Sequence, residues 1–234
     1  MVTRFILLMP WGRVGSNLLL SILQKSAPMK VNNEGLNRLR TAADQESWFR
    51  AFYETGKEPA SHQHIGSKQN LLAIRDLAGF SQLLLENQVR IVRLRRDNLV
   101  KAAVSQMRAE QYAEHTAEQT GVSRWAVMRA HEPLGPTRVD PEVLVQRISL
   151  MESLQGRLMA AFAAETVLDL EYEEINGALE QAVACARRYL DLPHAPFRVP
   201  FKKATPDNLS VALINFDEIG KRLSTTPWAD QLHA

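Results

Sequence analysis

The chain has a single cysteine, Cys185, so no internal disulfide can staple it and its stability must come from a packed core. Within the helix-like run from Leu179 to Leu190 that thiol is expected to be buried and structural. Long apolar runs are missing as well. The most hydrophobic stretch stops at Pro10, far short of the ~20 residues a membrane-spanning helix takes. Met1-Val2-Thr3-Arg4 enters that stretch directly, with no leader or anchor expected, and a cytoplasmic protein is the expectation. The excess charge is small, 28 Lys and Arg against 26 Asp and Glu for a net +2. That speaks against nucleic acid as a partner and leaves the basic residues to act locally. Repeats and low-complexity tracts are absent. What is there is 234 residues at 45% hydrophobic content, enough for a sizeable core and the length of one domain spanning 1–234. The polar stretch from Glu110 to Asp140, with Thr120-Gly121 and Pro133-Leu134-Gly135-Pro136, is expected to form helical pieces and a mobile loop covering a site.

The most informative segment runs Phe5-Ile6-Leu7-Leu8-Met9-Pro10-Trp11-Gly12-Arg13-Val14-Gly15-Ser16-Asn17, followed by Leu18 to Leu23. It reads as a strand buried on both faces, a tight loop and a helix. Gly12 and Gly15 let the backbone bend and approach a ligand, and the helix start offers unpaired N–H groups at a positive dipole end. An anion is the natural guest. The nucleotide-triphosphate version of such a loop, G-x-x-x-x-G-K-[ST], has its lysine and metal-binding hydroxyl where this chain has Ser16 and Asn17, and Pro10 replaces its first glycine. A Mg-ATP site is therefore not expected. The charge sits instead on Arg13, whose guanidinium can fork onto phosphate or sulfate oxygens.

A second strand-to-helix junction has the same flavour. Val89-Arg90-Ile91-Val92-Arg93-Leu94 has strand character, and Arg95-Arg96-Asp97-Asn98 leads into a helix from Leu99 through Ser105, with Asp97 or Asn98 as N-cap. Arg90 and Arg93 read as a solvated basic edge. The two junctions together resemble the sulfotransferases. Arg13-Val14-Gly15-Ser16 is similar to the end of their P-[KR]-S-G-[ST] loop, with Val14 for the usual Ser, Gly12 for Pro and Asn17 where Thr is common. Arg95-Arg96-Asp97-Asn98-Leu99-Val100-Lys101-Ala102-Ala103-Val104-Ser105 resembles the R-R-x-N-L-x-[RK]-x-A-V-S pattern of bacterial carbohydrate-type members. The resemblance implies that 3′-phosphoadenosine 5′-phosphosulfate (PAPS) is the co-substrate, without a metal. It gives Arg13, Val14, Gly15, Ser16 and Asn17 to the phosphosulfate, and Arg96 and Ser105 to the 3′-phosphate, with Arg95 as the alternative to Arg96. Pro200-Phe201-Lys202-Lys203-Ala204 resembles the family's C-terminal cofactor loop, which brings in Lys202 and Lys203. Asn215-Phe216-Asp217-Glu218-Ile219 also recurs in bacterial relatives.

The remaining sequence alternates strand and helix. Met29–Asn33, His64–Lys68 and Thr166–Glu171 read as strands; Trp48–Tyr53, Leu71–Gly79 and Asn176–Leu190 read as helices. An α/β protein follows, and with the resemblance a three-layer P-loop-type fold: a central, mostly parallel sheet flanked by helices, with ligands at the carboxyl ends of the strands. Gly15, Glu34 and Arg96 fall at such ends.

Sulfuryl transfer needs donors for charge developing on the departing phosphate, a base for the acceptor hydroxyl, and in-line placement. Arg13 and the N–H groups of Gly15, Ser16 and Asn17 meet the first need. For the base, relatives use either a His two residues after a strand Lys or a Glu soon after the second strand. Lys68-Gln69-Asn70 has Asn in the histidine position, so Glu34 is the candidate, with Gly35 turning the chain and Lys68 assisting at the transferred group. His62, His64 and His115 are the fallback bases. The acceptor, a small molecule or glycan and in the resemblance a carbohydrate or glycolipid, would meet the loops Arg38–Gly56 and Glu110–Asp140. There Trp48, Tyr112 and Trp125 are candidate stacking faces. Two other readings stay open: a nucleotide-binding protein without transfer activity, and a small-molecule kinase, which Ser16 and Asn17 oppose.

Overall fold

Phe5 to Met9, apolar at every position, forms the middle of strand β1 (Thr3–Met9), and all five of these residues are buried. A strand reads this way only when both of its faces are covered. The structure, a computed structural model, describes residues 2–54, 64–128, 131–162, 167–199 and 201–233. Gly56, His62, Thr166 and Pro200, singled out above, lie outside the described residues. The chain divides into two compact units, Met1–Arg95 with Leu154–Arg198, and Arg96–Ser153 with Val199–Ala234.

The first unit is built on a five-stranded sheet in the order β2-β3-β1-β4-β5, with β2 Met29–Asn33, β3 His64–Asn70, β4 Arg90–Arg95 and β5 Val167–Glu171. Every pairing is parallel, where the sequence suggested only a mostly parallel sheet. Phe5, Leu7 and Met9 face helices α1 (Ser16–Leu23) and α7 (Leu179–Tyr189). Ile6 and Leu8 face α2 (Ala42–Glu54), α3 (Leu77–Glu86) and the last turns of α5 (Pro141–Ala161). The alternation of side chains along β1 thus makes the three layers. Because β1 has β3 on one side and β4 on the other, the strand order reverses at β1, and the loop after Met9 opens at that switch point.

Several expectations need correction here. The helix expected over Leu71–Gly79 is instead a short 3₁₀ turn, Leu71–Ala73, followed by α3. Asn70 Oδ1 caps the turn through Ala73 N–H at 3.0 Å, and Asp76 Oδ1 caps α3 through Gly79 N–H at 3.0 Å, so two local caps override one continuous helix. The helix expected over Asn176–Leu190 is likewise two, α6 (Tyr172–Gly177) and α7, because a Glu171/Glu174 capping box starts a helix directly after β5 and Ala178 leaves the helical region. Cys185 is exposed on α7, not buried.

Arg93 is no solvated edge residue: it is 1% exposed. Its Nε and Nη2 meet Asp169 Oδ1 and Oδ2 on β5 at 2.5 and 2.6 Å, and Nη1 donates at 3.2 Å to the carbonyls of Met159 and Phe162 at the end of α5. A cation is favoured at a helix C-terminus, and the fork fits the carboxylate opposite. Arg90, half-exposed, pairs with Asp191 at 2.5 Å.

The second unit holds the 22-residue α4 (Leu99–Thr120), the first turns of α5, and α8 (Phe216–Leu223). Helix α4 runs deep into the expected insert and ends at Gly121, whose φ of 70° is the left-handed cap glycine permits. Residues 121–140 carry no helix or strand of their own among the described residues. They are tied by bridges Met128–Phe201 and Thr137–Leu213, and by Arg108, 3% exposed, whose Nη1 reaches Thr137 Oγ1 and Ala212 O while Nη2 reaches Leu134 O. Buried Asn215 holds Val139 by both backbone groups (3.2 and 2.8 Å) and Glu218 by its amide, so the Asn215–Ile219 motif is a clamp for this segment.

Candidate functional site

In the loop after β1 the left-handed residues are Arg13 (φ 69°) and Gly15 (φ 76°). Sequence reasoning gave the bending to Gly12 and Gly15; Arg13 takes part of it, at a cost of about 1 kcal/mol or more for a residue with a Cβ. Gly15 is required by its backbone, since a residue with a Cβ would be strained at this φ; the space beside it, next to Ile175 and Tyr172 of α6 at 3.4 Å, is only just filled. Val14, 3% exposed, drops its side chain into the core beside Leu19 and Ile175. Its departure from the usual serine therefore anchors the loop from below, and only its backbone can serve a ligand. Gly15 begins α1 with no capping side chain and no acidic residue in the first turn, which leaves that turn's positive end to an outside anion.

Lys68 on β3 lies opposite both Leu7 of β1 and Asn33 of β2. Even-numbered β3 positions face α1, so its side chain runs under that helix, 2% exposed. Its Nζ donates to Asn17 Oδ1 at 2.5 Å and pairs with Glu34 Oε1 at 2.6 Å. Glu34 Oε2 accepts from Asn37 at 3.0 Å and Asn70 at 3.5 Å. One buried ammonium thus links the helix after the anion loop to the carboxylate after β2. Glu34 itself makes the turn, with φ 58°. Gly35 was expected to, but its role is spatial: its N–H donates to Asn32 Oδ1 at 2.8 Å, and a Cβ would lie 2.4 Å from that oxygen.

The fallback histidines fare differently. His64 is buried at the amino end of β3, with Nε2 3.3 Å from Asp191 O. Six residues of strand, about 20 Å at ~3.3 Å each, separate it from Asn70 at the carboxyl end, so it is no base for this loop. His115 is exposed on α4. Of the candidate stacking faces, Trp48 is stacked on Phe52 at 5.1 Å within the first unit and Tyr112 is 7% exposed, whereas Trp125 is 52% exposed.

The second junction is built unlike the first. Arg95 ends β4 and is paired with Glu171 across to β5. Arg96, 6% exposed, opens the second unit, and Ser105, also 6% exposed, sits on α4. The first N–H groups of α4 are already taken: Gln231 Oε1 accepts from Leu99 (2.7 Å) and Val100 (3.3 Å), and the N-cap Asn98 accepts from Lys101 at 2.8 Å. An anion here must be met by side chains. In the same unit Lys202 pairs with Glu132 at 3.0 Å, and Lys203 with Asp207. Asp207 was missed in the sequence, and its i,i+4 spacing from Lys203 is the only signal that could have flagged it. Its carboxyl is held below the usual carboxylate range, first by the hydrogen bond from Lys203 and then by the charges of Lys203, Lys101 and Arg96.

Among the described residues no three His, Cys, Asp or Glu side chains converge as a metal site, and no helix is long and apolar enough to cross a membrane. No protein-family model and no curated protein sequence matches the chain. Solved structures of similar chain path include a sulfotransferase from Alicyclobacillus acidocaldarius, 14% identical with a TM-score of 0.49 over 99% of this chain and 95% of that one. The mouse sulfotransferase SULT7A1 complexed with PAP is 12% identical with a TM-score of 0.43, covering 82% of this chain and 61% of the mouse chain, less than two thirds of its length. An unliganded sugar kinase from Janibacter sp. HTCC2649 is 14% identical with a TM-score of 0.41, covering 81% of this chain and 95% of that one. At this identity no residue role passes from any of them to this chain.

Proposed function

We propose that this protein is a sulfotransferase that moves a sulfuryl group from PAPS to a hydroxyl of a small-molecule or carbohydrate acceptor. The observation that carries the reading is the loop Arg13–Asn17, an uncapped helix start with a left-handed arginine, joined by Lys68 to the Glu34 carboxylate. The residues present suit a phosphosulfate: a glycine in the left-handed region that opens the helix, a helix start without acidic residues, and an arginine that can fork onto oxygens. PAPS, when bound, supplies the activated sulfuryl group and a phosphate leaving group. Arg13 and the first-turn N–H groups of α1 hold the phosphosulfate and meet the charge that grows on its bridging oxygen. Lys68 keeps the Glu34 carboxylate in place, and Glu34 takes the acceptor's proton as the new S–O bond forms. By the sequence resemblance Arg96 and Ser105 bind the 3′-phosphate, with Lys202 and Lys203 contributing from the C-terminal loop.

The test is transfer of label from PAPS to a broad panel of hydroxyl acceptors, together with calorimetry of the product adenosine 3′,5′-bisphosphate (PAP) against AMP. Transfer to any acceptor and tighter binding of PAP than AMP are expected. Arg96→Ala should weaken PAP selectively, by about tenfold for the loss of one charge-assisted contact worth about 1.5 kcal/mol or more. PAP binding with no transfer to any acceptor would make the chain a nucleotide-binding protein. Equal affinity for PAP and AMP would remove the 3′-phosphate assignment.

A further inference from the structure

The turn that follows Lys202 in the second unit supplies an anion of its own. Lys203 Nζ is hydrogen-bonded to the Asp207 carboxylate, and Lys101 and Arg96 lie near enough to add their charge to the same carboxyl. The arrangement does little for folding. The Asp207 side chain is 65% exposed, and ion pairs at that exposure contribute little because water screens them. Yet it gathers three cations from two separate stretches of the sequence. Within the same turn Thr205 is 7% exposed, and its Oγ1 is buried without a hydrogen-bond partner. Buried hydroxyls nearly always find one, so this one stands out.

We propose that Asp207 is an internal stand-in for a phosphate monoester: its carboxylate occupies the Arg96–Lys101–Lys203 cluster in the free protein and is displaced when the ligand's phosphate arrives. The inference rests on the reading that Arg96 serves the 3′-phosphate, and adds to it a regulator of that subsite. A phosphate monoester has three strong acceptor oxygens and up to two charges, against two oxygens and one charge for the carboxylate, so it outcompetes Asp207 where a neutral hydroxyl does not. Thr205 then has an acceptor oxygen for its hydroxyl. The device sharpens selection, because a nucleotide lacking the second phosphate leaves Asp207 in place and gains nothing from the cluster. It also discounts affinity, since the competent state is populated only in part.

Asp207→Asn tests this, with Asp207→Ser as a second variant and circular dichroism to confirm that both fold. The full chain is titrated calorimetrically with PAP, AMP and inorganic phosphate. If the open state is about a tenth populated, both variants should bind PAP about tenfold more tightly than the native chain, leave AMP within about twofold, and tighten inorganic phosphate in parallel. Unchanged or weakened binding of both PAP and inorganic phosphate overturns the proposal and makes Asp207 a support for Lys203. Equal native affinity for PAP and AMP, with inorganic phosphate still tightened by the variants, sinks the 3′-phosphate reading while the stand-in survives.

Discussion

Glu34 and Lys68 form an ion pair 2.6 Å long whose ammonium is buried and whose carboxylate is 30% exposed. The exposed side is the one through which a hydroxyl can approach. Glu34→Gln keeps the shape and the contacts with Asn37 and Asn70 but removes the basicity. Transfer should fall by roughly 10²–10⁴-fold while PAP affinity stays within about twofold, read by single-turnover kinetics and calorimetry. Near-native transfer in that variant would move the base elsewhere, and the placement of His64 at the far end of β3 means His64 could not take over. Tyr53 shows a residue-scale effect of a different kind. Its hydroxyl bonds Phe5 O and Ser67 Oγ, both at 2.8 Å, and full burial pushes the phenol well above its usual range. The folded protein therefore keeps its proton at pH values where the unfolded chain, with a phenol near pH 10, has lost it. Stability from this group is complete below about pH 10 and declines above it by up to ~1.4 kcal/mol per unit. Tyr53→Phe should cost about 1 kcal/mol at neutral pH, and the gap to the native chain should close above pH 10 in urea midpoints measured across pH 8–11.

At the scale of elements, the sheet edge depends on Arg93. One guanidinium ties β4 to β5 through Asp169 and donates to the carbonyls of Met159 and Phe162 at the end of α5, three elements brought to one point by a side chain that sits at a strand's buried face. Replacing it by Met of similar length leaves the Asp169 carboxylate, about a third exposed, without its fork. Arg93→Met should destabilise the protein by about 3 kcal/mol in urea unfolding. A change below about 0.5 kcal/mol would mean that water satisfies Asp169 as well as arginine does. The two strand-to-helix junctions make the companion point. Helix α1 starts open and α4 starts closed by Gln231 and Asn98, so the same local sequence logic, strand then cap then helix, leaves the first N–H groups uncapped by a side chain in one case and satisfied in the other.

At the scale of the whole molecule, ligand binding is read as stability. A nucleotide that binds only the folded chain adds about 2.7 kcal/mol at 100 times its dissociation constant. PAP at that excess should protect the protein by this amount in thermal or urea unfolding. EDTA should leave the protection unchanged, because Ser16 and Asn17 stand where a Mg-triphosphate loop has its lysine and metal-binding hydroxyl. A loss of protection on chelation, restored by magnesium, would favour the kinase reading.

What the sequence determined by itself is the local part. The run Phe5–Met9 could only be a doubly covered strand, Gly15 marked the helix start, and the alternation of apolar segments gave the layered α/β architecture, because these rest on side-chain periodicity and backbone sterics that act within a few residues. Contacts between distant segments were decided by the tertiary structure. Nothing near Arg93 announces Asp169, 76 positions on, and so a buried fork read as a solvated edge. Lys68 and Glu34 were named separately, but only the register of β2, β3 and β1 puts one ammonium against both Glu34 and Asn17. The charges of Arg96 and Lys101 act on Asp207 only because folding returns a turn more than 100 positions later to the start of α4. Pairing of charges falls off over a few ångströms in space, and spacing along the chain does not encode that distance.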